Sequence, residues 1–450
     1  MEKTLFGDKL IETYLEVFNS YSIANELYGR ISLHVLLGQA LCKHVCYQMG
    51  SRRIDPRVHL LLIKPQGTGK GAGYGFIDKM AKSIGLDFQS LTESTDAGLV
   101  GTLEKDGNET VVVDGLLKTA DIIGMEEASV LFDYTNDFSK KNMTYMQITM
   151  NPLEGSSCKI SKKLGTELIE IEPHASFVLL TYPPDKLVDK LLKTGFIDRV
   201  IPVFEDVTLE ERLMIIEKMS EAISTGIDKK DEIDKKEKLV ATSLKHIINM
   251  YTTEKRFVLP DEIKKLLIKT MTEDFSMKIL DASTKAKEKL EHFITRLYET
   301  LIKLSIHHAI LSGREAIDVS DIVYARRLFT PIWNNLIISI ESLLIISPQE
   351  RMRRHRIIRT SIDEYKTQIR LKKFVKDKVW VRRRTMVKNL QHLWDNCSIN
   401  TADNNLYKLE KSCELTNKAF INKLQYDKDK YFERKSIKGV AYLKLIKDIG

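Results

Sequence analysis

Lys70 follows Gly67, Thr68 and Gly69 in the stretch LLLIKPQGTGKGAGYGFIDKMAKSIG, residues 60–85, and this grouping could bind a phosphate chain. Gly67 and Gly69 let successive backbone N–H groups turn toward an anion, Lys70 adds a positive charge, and a following helix would contribute the positive end of its dipole. The pattern approaches G-x-x-x-x-G-K-[ST] with two departures: Lys64 takes the place of the first glycine, and Gly71 replaces the hydroxyl residue that would bind Mg²⁺. A metal ion would then be held mainly through waters and through acidic residues elsewhere. Gly67, Thr68, Gly69, Lys70 and Gly71 are therefore the candidates for binding a triphosphate, with Mg²⁺ as the accompanying ion.

Such a site needs carboxylates, and the apolar run IIGM stops at Glu126 and Glu127. At the end of a buried strand, Glu126 could hold Mg²⁺ through water while Glu127 polarises the attacking water. The plainer alternative is an acidic start to the next helix, which the helix dipole favours. A second buried strand, ASFVLLTYPP, ends in the polar residues Thr181 and Tyr182, which join the nucleotide-binding candidates. In TGFIDRVIPVF, Arg199 stands between two apolar stretches and should emerge at a surface or interface, because burying it unpaired is costly. CKISKKLGTELIEI alternates as a hairpin would, with Lys162, Lys163 and Gly165 near its tip.

The elements that must position these residues can be read in order. Residues 8–50 repeat apolar side chains at helical spacing (Leu10, Tyr14, Val17, Phe18, then Leu33, Leu37, Leu41, Val45) and predict two or three helices. On such a helix His44 faces away from Cys42 and Cys46, so these three are not expected to form a zinc site. Strands and turns follow the loop through residue 128, MTYMQITMNPLEG reads as a helix, and 207–349 reads as helical throughout. Within that part IDKKDEIDKKEK is a charged, solvated stretch, HFITRLYETLIKLSIHHAIL a long amphipathic helix, and Asp318 and Ser320 candidate caps for the helix after them. His307 and His308 are adjacent, cannot share a helix face, and read as structural or exposed. Residues 351–378 form a basic connector. The order helix, helix, two short strands over RRRTMVKNLQHLW, SINTADNNLYKLEKS and YFERKSIKGVAYLKLI predicts a winged helix-turn-helix, with Thr401 to Leu409 as the recognition helix. A helical protein-docking domain is the alternative. Arg382, Arg383, Arg384, Thr401, Asn404 and Lys408 are its candidate DNA contacts, beside Lys162 and Lys163 of the hairpin.

The expected organisation is thus an N-terminal helical lead-in (1–52), an α/β nucleotide-binding core (53–206), a helical lid (207–350), the basic connector (351–378) and a winged-helix domain (379–450). At 450 residues the chain is too long for one core. No apolar run approaches the length of a membrane span, and Met1-Glu2-Lys3 opens no secretory signal, so a cytoplasmic or nucleoid-associated protein is expected. Five irregularly spaced cysteines fit a reducing compartment. The net charge of +8 is concentrated between about 350 and 390, the footprint of a polyanion-binding segment.

From about residue 24 to 330 the order of parts resembles the AAA+ motor of the minichromosome maintenance (MCM) helicases, especially the shortened forms of viruses and mobile elements. NELYGRISLHVLLGQAL looks like the family's stretch before the loop, and STDAGLVGTL resembles its Ser/Thr-rich segment ending in Gly-Leu-Thr. Glu126 and Glu127 look like its Asp-Glu pair, and NPLEGSSCKISKKLG resembles the lead into its pre-sensor hairpin, whose DNA-contacting lysine falls on Lys163. TGFIDRVIPVF is similar to its Leu-Leu-Ser-Arg-Phe-Asp segment and carries the trans arginine finger onto Arg199. RLYETLIKLSIHHA resembles its Arg-x-Leu-Glu helix and carries the second sensor arginine onto Arg296. Glu126 stands where the family has Asp, Gly71 lacks the Mg²⁺ hydroxyl, and Tyr182 takes the place of the first sensor's Asn. These departures bear on hydrolysis more than on nucleotide binding.

The resemblance implies a ring-forming ATPase and DNA helicase, expected as a homohexamer, acting in replication of a virus or mobile element. Single-stranded DNA would occupy the channel, duplex would lie at the winged helix, and no membrane is involved. Lys70, Glu126 and Glu127 of one subunit would face Arg199 of the next. A DNA-binding initiator or regulator that uses the same fold as an ATP-gated assembly switch is the main rival. A nucleotide kinase is a second, since Lys-Gly also occurs in that style of loop.

Overall fold

The computed structural model describes residues 4–22, 26–91, 96–106, 109–129, 137–152, 159–164, 167–182, 195–205, 212–213, 215–217, 230–280, 284–344, 381–382, 432–437 and 440–445. The chain divides into two compact units, Met1–Ile345 and Ile346–Gly450.

Two helices open the first unit, α1 (Gly7–Tyr21) and α2 (Glu26–Leu41). α1 buries Leu10, Ile11, Tyr14, Leu15, Val17 and Phe18 along one stripe, whereas α2 is apolar nearly all round and runs through the core. The helical pattern does not continue through Val45 as expected. Instead β1 (Val45–Met49) pairs antiparallel with β2 (Arg52–Ile54) and parallel with β12 (Lys255–Phe257). Val45 and Tyr47 lie beside Lys255 and Phe257 in the register, and this long-range pairing overrides the local period. Cys42 and Cys46, outside any helix, are both buried.

The main sheet holds β3 (Leu60–Ile63), β4 (Phe88–Ser90), β7 (Ile122–Met125), β10 (Ser176–Thr181) and β11 (Ile201–Phe204) in the order β11-β3-β10-β7-β4. All its pairings are parallel. β3, β7, β10 and β11 are buried at every position, as parallel strands covered on both faces must be. α3 (Lys70–Ile84) follows β3. Between α4 (Asp96–Val100) and α5 (Leu116–Thr119) lies an antiparallel hairpin of β5 (Gly101–Asp106) and β6 (Glu109–Asp114). After α6 (Asp137–Thr149) comes a second hairpin, β8 (Ile160–Leu164) with β9 (Glu167–Ile171), in the place the alternation predicts.

α7 (Lys230–Asn249) takes in the charged stretch from Lys230 onward and buries Glu237. α8 (Asp261–Thr270) runs through a π-helical turn, Met271–Ser276, into Met277–Leu280; α9 (Thr284–Leu311) and α10 (Val319–Leu344) complete the set. Among the described residues β12 departs from the all-helical expectation. Asp318 caps α10, accepting from the Ser320 N–H at 2.7 Å, while Ser320 lies inside the helix.

Buried polar bonds tie these helices to the sheet. Arg57, just before β3, grips Asp55 at 2.8 Å and donates to the carbonyls of Thr149, Asn151 and Ala175, while Lys303 of α9 donates to the Arg57 carbonyl at 2.8 Å. Burial opposes the Asp55 charge, but Arg57 and Lys303 overcome it and hold the carboxyl below its ordinary range. His307 is structural rather than exposed: it sits 3.2 Å from His34 of α2 and 2.9 Å from the Pro56 carbonyl. His308 is bound to Asp321 at 2.6 Å.

In the second unit β14 (Phe432–Ile437) and β15 (Val440–Leu445), where two short strands are expected, pair antiparallel, and β13 (Val381–Arg382) pairs with β15 as a third strand. Arg382 belongs to β13; Arg383, Arg384, Thr401, Asn404, Lys408 and the connector lie outside the described residues.

Candidate functional site

β3 ends at Ile63, and the chain turns through Lys64, Pro65, Gln66, Gly67, Thr68 and Gly69 before α3 begins at Lys70. Gly67 and Gly69 have φ of 70° and 78°, the left-handed region in which a side chain is strained. A Cβ at Gly67 would meet nothing, so it is the backbone turn that requires glycine there. Thr68 is buried and closes the turn by donating to the Pro65 carbonyl at 2.7 Å, a bond within the loop rather than one toward a ligand. The N-terminal helices brace the same loop: Ser22 donates to the Gly69 carbonyl at 2.8 Å and the Tyr28 hydroxyl to that of Lys70 at 3.5 Å.

Lys64, the first departure from the glycine pattern, has a structural explanation. Its ammonium is buried against Glu205, just past β11, at 2.6 Å, while its carbonyl accepts from Lys70. The side chain therefore fastens the start of the loop to the neighbouring strand. No local signal in the sequence joins Lys64 to Glu205.

Around Lys70 the ends of three strands converge. Its ammonium donates to the carbonyls of Lys64 and Thr181, each at 3.3 Å, and lies 3.5 Å from the centroid of the Tyr182 ring. Partial burial lowers the Lys70 pKa, and the charges of Glu127 and Glu126 oppose that shift. Glu126 and Glu127 are exposed at the end of β7, and a Cβ placed on Gly71 would lie 3.8 Å from Glu126 Oε1. The Tyr182 hydroxyl donates to Glu127 Oε2 at 2.8 Å. Lys70, Gly71, Glu126, Glu127, Thr181 and Tyr182 are thus one cluster at the carboxyl ends of β3, β7 and β10, where parallel sheets bind ligands.

Arg199 is not part of this cluster. It ends the short 3-10 turn Ile197–Arg199 just ahead of β11, whose first residue, Ile201, is in register with Leu60. The four residues of β3, roughly 13 Å at the usual rise of a strand, separate that edge of the sheet from the loop. Arg199 Nη1 donates to the Gly195 carbonyl at 2.6 Å, and its buried Nε has no partner among the described residues. Burial lowers its pKa, Arg296 pushes the same way, and Asp198 and Glu299 oppose them. Arg296, on α9, pairs with Glu299 at 2.9 Å and shares this edge. The two arginines therefore stand together, away from the lysine and carboxylates of their own chain.

The hairpin lysines differ from each other. Lys163 is exposed, whereas Lys162 is half-buried and donates to the Gly101 carbonyl at 3.1 Å, joining the two hairpins. Among the described residues no group of three or more His, Cys, Asp or Glu side chains could by itself hold a metal ion. No described helix is long and apolar enough to cross a membrane.

No family model and no curated protein matches the chain.

Proposed function

We propose that this chain is an ATP-hydrolysing DNA motor of the AAA+ class, similar to the MCM helicases and acting as a ring. The observation that carries this is the strand order. Numbered along the chain, the five parallel strands lie 5-1-4-3-2, the AAA+ order, with a glycine turn and lysine after strand 1, two carboxylates after strand 3 and a polar end on strand 4 between them. The backbone N–H groups of Gly67 to Gly71 and the ammonium of Lys70 would hold the phosphates. Glu126 would hold Mg²⁺ through water, and the ion would neutralise charge on the phosphates. Glu127 would take the proton from water attacking the γ-phosphorus as the bond to the β-phosphate oxygen breaks. Lys163, exposed beside the hairpin tip, is the better candidate for strand contact, since Lys162 is engaged with Gly101.

The test is ATP turnover with and without single-stranded DNA. Turnover should rise several-fold with DNA, and Lys163→Ala should remove most of that rise and flatten its salt dependence. Turnover indifferent to DNA would favour the assembly-switch reading. Gly71 offers a second check. Because a Cβ there would meet Glu126 Oε1 at an ordinary contact distance, Gly71→Ser should fold normally and restore a hydroxyl near the ion. The Mg²⁺ concentration for half-maximal hydrolysis should fall several-fold; an unchanged requirement would argue against an ion between Gly71 and Glu126.

A further inference from the structure

Among the described residues, the Tyr182 side chain touches both halves of the candidate site. Its ring faces the Lys70 ammonium at 3.5 Å, and its hydroxyl donates to Glu127 Oε2 at 2.8 Å. The remaining contacts of the ammonium are the Lys64 and Thr181 carbonyls, so the lysine is directed at a carbonyl pair and an aromatic face. A lysine over an aromatic ring is held by the ring's negative face, and a phenol bound to a carboxylate makes a charge-assisted bond. An asparagine at this position has no ring with which to hold the lysine. The hydrogen bond to Glu127 also raises the Tyr182 pKa above its ordinary value, which keeps the hydroxyl a donor.

These contacts compete with the chemistry the site would perform. A phosphate chain in the loop must draw the Lys70 ammonium onto its own oxygens, and a carboxylate that accepts a bond from tyrosine has less capacity to accept a proton from water. We propose that Tyr182 is a positioning residue that latches Lys70 to Glu127 in the nucleotide-free site, and that a triphosphate in the loop releases both together. This rests on the reading of the loop as a nucleotide site. It gives a reason for the tyrosine: binding at one strand end frees the base at another, which limits activation of water while no triphosphate is present.

Binding of a fluorescent ATP analogue and phosphate release over a range of ATP concentrations separate the two contacts. Tyr182→Phe keeps the ring and removes the hydroxyl: with one competing contact gone, affinity should rise about two- to tenfold and the ATP concentration for half-maximal turnover should fall in step. Tyr182→Leu removes both contacts, so affinity should rise further, by about an additional two- to thirtyfold, the span of lysine–aromatic contacts. Matching melting temperatures would confirm that both variants are native. A half-saturating ATP concentration that falls more than maximal turnover changes, and falls further in Tyr182→Leu than in Tyr182→Phe, is a split that a merely structural role would not produce. Affinity unchanged or lowered in Tyr182→Phe, or no tighter in Tyr182→Leu than in Tyr182→Phe, overturns the proposal while the nucleotide site stands. A parent protein that binds no analogue, or a Lys70→Ala variant that binds it equally well, overturns the site itself.

Discussion

Lys70→Ala is expected to weaken nucleotide binding about ten- to hundredfold and to bring hydrolysis to background, with little change in melting temperature. The first figure is what a charge-assisted hydrogen bond contributes; the loss in turnover is larger because the ammonium would also stabilise charge developing on the transferring phosphoryl group. Stability should hold because the side chain contacts two backbone carbonyls and the Tyr182 ring at the strand ends, and packs no apolar side chain of the core. Alanine is also a good residue for the first turn of α3. Glu127→Gln is the matching control. It keeps the shape and should retain nucleotide while losing hydrolysis, since its assigned task is to accept a proton. Titration with a fluorescent ATP analogue, phosphate release and a thermal melt read all three quantities, and undiminished hydrolysis in Lys70→Ala would sink the loop assignment.

The loop, the carboxylate pair and the polar end of β10 were legible in the sequence because each is a local event: a buried apolar run that stops at residues of a different chemistry. The strands β3, β7 and β10 and the β8–β9 hairpin were legible for the same reason. What connects these pieces was not. Lys64 looks like a defect in the glycine pattern until Glu205, far along the chain, is placed beside it. The apolar period through Leu41 and Val45 reads as one helix, yet pairing with Lys255–Phe257 makes the second half a strand. His34 and His307 come from different helices, so only packing could reveal their pairing. Tyr182 could be seen to depart from an expected asparagine, but not that its ring and hydroxyl reach two residues from different strand ends.

Arg199 poses the same question at larger scale, because the sequence cannot say at which edge of the sheet it stands. Its place ahead of β11 puts it at the amino ends of strands whose carboxyl ends carry Lys70, Glu126 and Glu127. Any contact between Arg199 and a phosphate bound at that loop must therefore come from another subunit. Identical head-to-tail contacts of this kind close into a ring where the rotation between subunits closes. Arg199→Ala should retain nucleotide binding, since the residue is remote from its own site, yet lose about 10³- to 10⁵-fold in turnover, the range of arginine fingers in phosphoryl transfer. Its Nε, without a partner among the described residues, has a donor to offer, whereas Arg296 beside it is paired with Glu299. Subunit mixing makes the prediction specific. Lys70→Ala subunits cannot hydrolyse but still carry Arg199, and Arg199→Ala subunits hold nucleotide but lack the arginine, so neither should turn over alone while a mixture should recover part of the activity. If mixing recovers nothing although both variants assemble, Arg199 does not act on a neighbour's nucleotide.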